Sequence, residues 1–165
     1  MSFNITIDEV KQICNLTDLK KTDILLSSFP IIEDLLFSIT LGPVNKKVKS
    51  NTATPLKMTS FKHAFAFFIY AHNIDFLNTS TNANGILKNT GFAESRIELL
   101  GEVETERKQR KLELKAYSLL QKYLNADGIQ RYNELKLWDD LQRAENEQAK
   151  QKILTRGKRC KIAII

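Results

Sequence analysis

Apolar residues recur at helical spacing through most of the chain, and the breaks fall at glycine, proline and Asn/Thr/Ser clusters. The opening TIDEVKQIC places Thr6 three residues before Glu9, a capping-box spacing, with Val10 and Ile13 on one face. It predicts a short helix from Ile7 to Cys14. A second helix is expected from about Asp23 to Leu41, carrying Ile24, Leu25, Ile31, Ile32, Leu35, Leu36 and Ile39. Pro30 should kink it or split it at Ser28, because proline lacks the helical donor and clashes with the preceding turn. Gly42-Pro43 reads as a stop, and VNKKVKSNTATP, without periodicity, as a polar, basic loop. A third helix is expected from Thr59 or Ser60 to about Leu77. Phe61, Phe65, Phe67, Phe68, Ile69, Ile74, Phe76 and Leu77 make it apolar almost all round. Such a helix is the centre of a bundle or is buried by neighbouring subunits.

The stretch NANGILKNTGFAES interrupts this helical pattern with Gly85, Gly91 and a strand-like Ile86-Leu87-Lys88. It reads as a hairpin over Asn84 to Phe92 or as a long helix-to-helix loop. A charged helix follows from about Ile97 to Leu124. Its acids (Glu98, Glu102, Glu104, Glu106) precede its bases (Arg107, Lys108, Arg110, Lys111), an order that suits the helix dipole. Glu104–Lys108 and Glu106–Arg110 are i,i+4 pairs in the favourable direction. Leu112, Ala116, Leu119, Leu120 and Tyr123 form an apolar face, and Asn125 and Gly128 read as the end. A last helix is expected from Ile129 to Leu154, with Tyr132, Leu135, Trp138 and Leu141 as a narrow stripe that vanishes beyond Arg143. Gly157 should break it before a strand-like CKIAII. The fold class is therefore mainly α: a helical bundle of four to five helices, a small β-hairpin or long loop between helices three and four, and an extended C-terminal tail. The pattern divides into a body over 1–125 and a helix with docking tail over 126–165.

A length of 165 residues suits one domain, and 42% apolar with 27% charged residues lies in the globular range. Two cysteines, Cys14 and Cys160, are too few for a disulfide scaffold and fit a reducing compartment. MSFNITIDEV has neither the basic start nor the apolar run of a signal peptide. The longest apolar run, Ala64 to Ala71, is far short of the ~20 residues that span a bilayer. A soluble chain is expected. Of the 25 basic residues, six lie in 150–165 without an acid, and the remaining 19 balance the 19 acids. The net charge of +6 thus belongs to the tail, unlike a uniformly basic nucleic-acid-binding surface.

Catalytic chemistry is hard to find. His63 and His72 are nine residues apart on one helix, which puts them on opposite faces at about 100° per residue. Neither matches metal-ligand spacing with Cys14. The glycines at 85 and 91 lack the lysine and helix start of a phosphate-binding loop. No enzyme activity, cofactor or metal is expected.

The run ITIDEVKQICNLTD followed by SSFPIIEDLLFSITLGP resembles the entry to bacteriophage head–tail connector proteins, the adaptor or neck-ring family. The resemblance is one of element order, covers about residues 3–125, and departs at Pro30 and in the long extension after Asn125. It implies a virion protein at the head–tail junction, assembled in the host cytoplasm as a homo-oligomeric ring, typically a dodecamer. Its implied partners are the portal protein, the next neck or tail protein, and DNA passing transiently and non-specifically through the channel. By that resemblance Gly85, Ile86, Leu87, Lys88, Gly91 and Phe92 form an inter-subunit hairpin. Lys158, Arg159, Lys161, Ile162, Ile164 and Ile165 dock on the portal or a neighbour, and Lys46, Lys47 and Lys49 face the DNA conduit. The tail's alternative is a strand packing on its own domain. The alternative function is a small nucleic-acid-binding or packaging accessory protein, with VNKKVK and the tail as phosphate contacts.

Replacing His63 and His72 together by glutamine is expected to leave particle assembly intact. Metal analysis of the wild-type and variant chains checks this, and metal lost with the two imidazoles would reveal a site.

Overall fold

The computed structural model describes residues 5–16, 22–77, 79–82, 85–88 and 102–160. The protein is mainly helical. Its elements are α1 (Ile7–Ile13), α2 (Thr22–Ser27), α3 (Phe29–Ser38), α4 (Gly42–Lys49), α5 (Pro55–Leu77), β1 (Thr79–Asn82), β2 (Gly85–Lys88), α6 (Glu102–Leu120), a 3-10 turn (Gln121–Tyr123) and α7 (Ala126–Cys160).

Local chemistry accounts for most of the boundaries. Thr6 closes the expected capping box: its hydroxyl accepts from Glu9 N at 3.2 Å, and Glu9 Oε2 accepts from Thr6 N at 2.8 Å. Two asparagines then end helices in the left-handed region, Asn15 (φ 54°) after α1 and Asn51 (φ 57°) after α4. Each builds the same two-bond C-cap. Asn15 N and Leu16 N donate to Gln12 O and Lys11 O; Asn51 N and Thr52 N donate to Val48 O and Lys47 O. The expected second helix is split at Ser28, with Pro30 in the first turn of α3, where its missing donor costs nothing. The elbow is tied to α5 by Asn73, which is 2% exposed and donates to Ser28 Oγ (3.0 Å) and Ile69 O (2.8 Å).

Several expectations about the helices change. Val44 to Lys49 is not a loop: Gly42-Pro43, read as a stop, occupies the first turn of α4, and Val48 is buried. α5 starts at Pro55, four or five residues early, because Thr59 and Ser60 do not cap; their hydroxyls donate back to Pro55 O (3.0 Å) and Leu56 O (3.1 Å). Gly157 does not break α7, which continues to Cys160; a single glycine costs a helix only about 1 kcal/mol. The stripe on α7 is also placed differently. Leu135 is 2% exposed, Tyr132 and Trp138 are half-buried, but Leu141 is 56% exposed and Asp139 takes the inner position at 9%. Burial there is tolerated because Arg143 pairs with Asp139 at 2.6 Å.

α5 is the hub. Phe61, Ala64, Phe65, Ala66, Phe68 and Ile69 are buried in one core with Leu25, Leu36, Ala116 and Leu120. α6 lies along α5 in the most extensive helix pairing, and Phe68 meets Tyr117 edge-to-face at 5.3 Å. On the other side Phe29 meets Phe65 edge-to-face at 5.1 Å. Leu135 belongs to this same core, so the body does not stop at residue 125 as the pattern of helices suggests; it includes the first half of α7. The expected i,i+4 pairs of α6 are present, Glu104–Lys108 at 3.9 Å and Glu106–Arg110 closer.

β1 and β2 run antiparallel, with Thr79 opposite Lys88 and Asn82 opposite Gly85. The pairing therefore begins five residues before the expected Asn84–Phe92, and Gly91 and Phe92 lie outside the described residues.

Two chain corners clasp one another. Leu41 N donates to Tyr123 O (2.9 Å), Asn125 N donates to Ile39 O (3.0 Å), and Asn125 Nδ2 donates to Ser38 O (2.6 Å). Asn125 also caps α7, accepting from Gly128 N at 2.9 Å, so Asn125 and Gly128 start a helix as well as following one. Gly128 is glycine for lack of space: a Cβ there would lie 2.4 Å from Ile39 O and 3.0 Å from the Leu124 side chain. That oxygen is held by the Asn125 hydrogen bond and cannot retreat.

Gly128→Ala is expected to destabilise the fold by about 1–3 kcal/mol despite alanine's better helix propensity. The midpoint of urea unfolding checks this. An unchanged or raised midpoint would mean that the Ile39 carbonyl yields.

Candidate functional site

Among the described residues, no group of three or more His, Cys, Asp or Glu side chains could hold a metal ion. His63 lines a groove beside α1, whereas His72 is exposed beside α3 and α6, so the two imidazoles face different surroundings. Cys14 is half-buried and its Sγ lies 3.4 Å from Ala66 O, to which it donates. Desolvation pushes its pKa up to about 12, against only partial compensation by the nearby Lys115 charge. This is a packing thiol, not a nucleophile.

The surface offers three features instead. The first is a cationic end. Proline and glycine in the first turn of α4 let the chain turn straight into a helix, and buried Val48 fixes which face points in. At about 100° per residue, Lys46, Lys47 and Lys49 then fan across the half of the helix opposite Val48. Lys49 Nζ sits 4.2 Å above the Phe37 ring. The corner clasp brings the 3-10 turn to the same place, adding Lys122 beside Tyr123. The first turns of α5 add Lys57, whose Nζ lies 5.8 Å above the Tyr123 ring. Sequence reasoning found the α4 lysines but placed them in a loop, and it missed Lys57 and Lys122. A signal for them was present: no acid occurs between Asp34 and Asp75, or between Glu113 and Asp127.

The second feature is a pair of grooves on the open face of α5. One, of about 670 Å³, is walled by α1 and contains Met58, His63 and Phe67, with a Glu9–Lys62 ion pair of 2.6 Å at its side. The Lys62 ammonium, above all, holds the Glu9 carboxyl below its ordinary range. The other, of about 660 Å³, lies between α5, α6 and α7 with Phe67, Leu114 and Leu119 on its floor and Lys111, Lys115 and Arg143 around it.

The third is α7 beyond the body. Residues 143 to 150 are all exposed, and Leu137 (62%) and Leu141 (56%) present apolar surface one helical turn apart. Of the expected docking residues, Lys158 and Arg159 fall within α7 rather than in an extended tail, and Lys161, Ile162, Ile164 and Ile165 lie outside the described residues. Gly85, Ile86, Leu87 and Lys88 are in β2. The described members of the three expected groups are thus carried on three separate elements, α4, β2 and α7.

No protein-family model, curated protein or solved structure matches the chain. Functional inference rests on its own residues and geometry. No helix among the described residues is long and apolar enough to cross a membrane.

In a Cys160→Ser background, Cys14 should react with a thiol reagent at pH 8 far more slowly in the folded chain than in urea, since a pKa of about 12 leaves about a thousandfold fewer thiolates than the ordinary 9.0. The sign for stability follows. Above pH 9 the unfolded thiol ionises while the folded one does not, so stability should fall as pH rises from 9 towards 12. Equal alkylation rates in the two states would contradict the buried placement.

Proposed function

We propose that the chain is a structural subunit of a phage head–tail connector ring that bridges the portal and the next tail component and extends the DNA conduit. The observation that carries this reading is α7. A 35-residue helix is about 52 Å long, yet between Gln142 and Lys150 none of its described side chains is buried, the last buried one being Asp139 and the last partly buried one Gln142. A long helix that leaves its own core with no covering side chains among the described residues, and with two leucines exposed at the point of departure, is suited to an assembly rather than to a lone monomer. Wedge-shaped helical bodies with projecting elements are how a ring passes contacts from one subunit to the next.

In this reading β1 and β2, emerging between α5 and α6, reach towards a neighbour, and the end of α7 with the following residues docks on the portal. Lys150, Lys152, Arg156, Lys158, Arg159 and Lys161 would steer that end to an acidic surface, and burial of Ile162, Ile164 and Ile165 would hold it there. Each fully buried isoleucine contributes roughly 1.5–3 kcal/mol before ordering costs. Repetition around a ring raises the total through avidity.

Deleting residues 157–165 is expected to leave a folded, soluble chain that no longer enters the neck of assembled particles. The deletion removes none of the deeply buried apolar side chains found among the described residues, the last of which along the chain is Leu135. Circular dichroism and incorporation into particles are the two readouts. Unfolding of the truncated chain would place the tail in the core, and normal incorporation would move docking to β1–β2.

A further inference from the structure

We propose that the cationic end of the body is a binding face for the phosphate backbone of duplex DNA, competent in the single subunit. This deepens the conduit part of the connector reading by assigning DNA contact to five named lysines on three elements, and its test needs no ring. The chain's net charge, taken residue by residue, is carried by 150–165, but the folded body is polarised. Lys46, Lys47 and Lys49 from α4, Lys57 from α5 and Lys122 from the 3-10 turn are brought to one end by contacts between elements far apart in sequence. No ion pair found among the described residues involves any of the five. Two acids lie near them: Asp127, exposed in the first turn of α7, and Glu9, which shares a groove with Pro55 and Met58 and is paired with Lys62.

Several properties point to phosphate rather than to bases. All five groups are lysines, compact point charges without the forked geometry that reads a base edge or clamps a carboxylate in two places. Two of them rest against aromatic rings, Phe37 and Tyr123, which hold the ammonium groups near the surface at little cost in hydration. Ser50, Asn51, Thr52 and Thr54, exposed between α4 and α5, supply the neutral donors that typically accompany such contacts. The N-termini of α5 and α7 lie at this end as well, so their dipoles add positive potential to the same face. Against an acidic protein surface or an anionic membrane stands the scatter of apolar residues: the large exposed ones at this end, Leu41, Leu56 and Ile129, come one each from three different elements.

The test uses the full chain and short fluorescent duplexes of two unrelated sequences, with binding followed by anisotropy as salt is raised. Five phosphate contacts imply a slope of log affinity against log salt near −4.5, or about a 500-fold loss between roughly 50 and 200 mM salt. Both duplexes should bind alike. Lys46→Ala/Lys47→Ala/Lys49→Ala should make the slope shallower by about 3, and Lys57→Ala/Lys122→Ala by about 2, whereas the corresponding arginine variants should retain it. Circular dichroism checks that each variant is folded. Deleting 157–165 must leave the effect of the α4 variant intact; if DNA binding vanishes with the tail and ignores the lysines, the proposal is wrong. Competition with polyglutamate and with phosphatidylglycerol vesicles decides between partner classes. Tighter binding to either than to DNA would reassign the face to an acidic protein or a lipid surface, and discrimination between the two duplexes would overturn a phosphate-only contact. Since these readouts need no ring, failure here leaves the connector reading standing, and failure of neck assembly leaves this one standing.

Discussion

The clasp between Ser38–Leu41 and Tyr123–Asn125 is the constraint on which the arrangement of the molecule depends. Backbone bonds cross between the corners in both directions, and the Asn125 side chain reaches Ser38 O while capping α7. One residue therefore completes a tertiary contact and starts the longest helix. Gly128 allows this by giving α7 room to begin against Ile39 O. Everything α7 does afterwards, including its departure from the body, has its direction set at that junction.

The clasp also decides where charge accumulates. Lys122 follows the end of α6 and the α4 lysines follow α3, some seventy-five residues apart in the chain, and the meeting of the two corners brings the elements that carry them together. The apolar mass of α5 stands beside them, with Phe61 and Tyr123 rings 5.8 Å apart, so the basic end is mounted on the core rather than on a pliable arm. The molecule is thus asymmetric along α7. One end carries lysines from three elements; towards the other, residues 143 to 150 of α7 are all exposed.

Buried polar groups are few and answered. Asn73 and Ser28 satisfy one another and the helix carbonyls around them, Thr40 and Asn45 bond across the start of α4, and no buried side-chain nitrogen or oxygen among the described residues lacks a partner. These pairs sit where helices change direction, at the α2–α3 elbow and the α3–α4 corner. They fix angles between helices that apolar packing alone would leave adjustable.

Much of the fold was legible in the sequence. The capping box at Thr6, the split at Ser28, the end of α5 at Leu77, the salt-bridge ladder of α6 and the burial of Phe61, Phe65 and Phe68 follow from local chemistry and periodicity, which act within a turn or two of the residues concerned. What was misread depends on partners distant in the chain. Gly42-Pro43 and Gly128 carry the signature of helix ends, yet proline is equally suited to a first turn and glycine to a close approach, and only the neighbours choose. Leu141 lies about 160° around α7 from Asp139, so a helix that buries Leu135 and Asp139 against the body turns Leu141 outward, and Arg143 pairs with the buried acid. The docking residues beyond Cys160 stay a matter of sequence alone. By itself the sequence determined a mainly helical chain with one apolar hub and a basic C-terminal end. The tertiary structure decided that α4 is a helix, that Lys57 and Lys122 lie at the same end as its lysines, and that residues 143 to 150 of α7 stand exposed, because those outcomes depend on which surfaces meet.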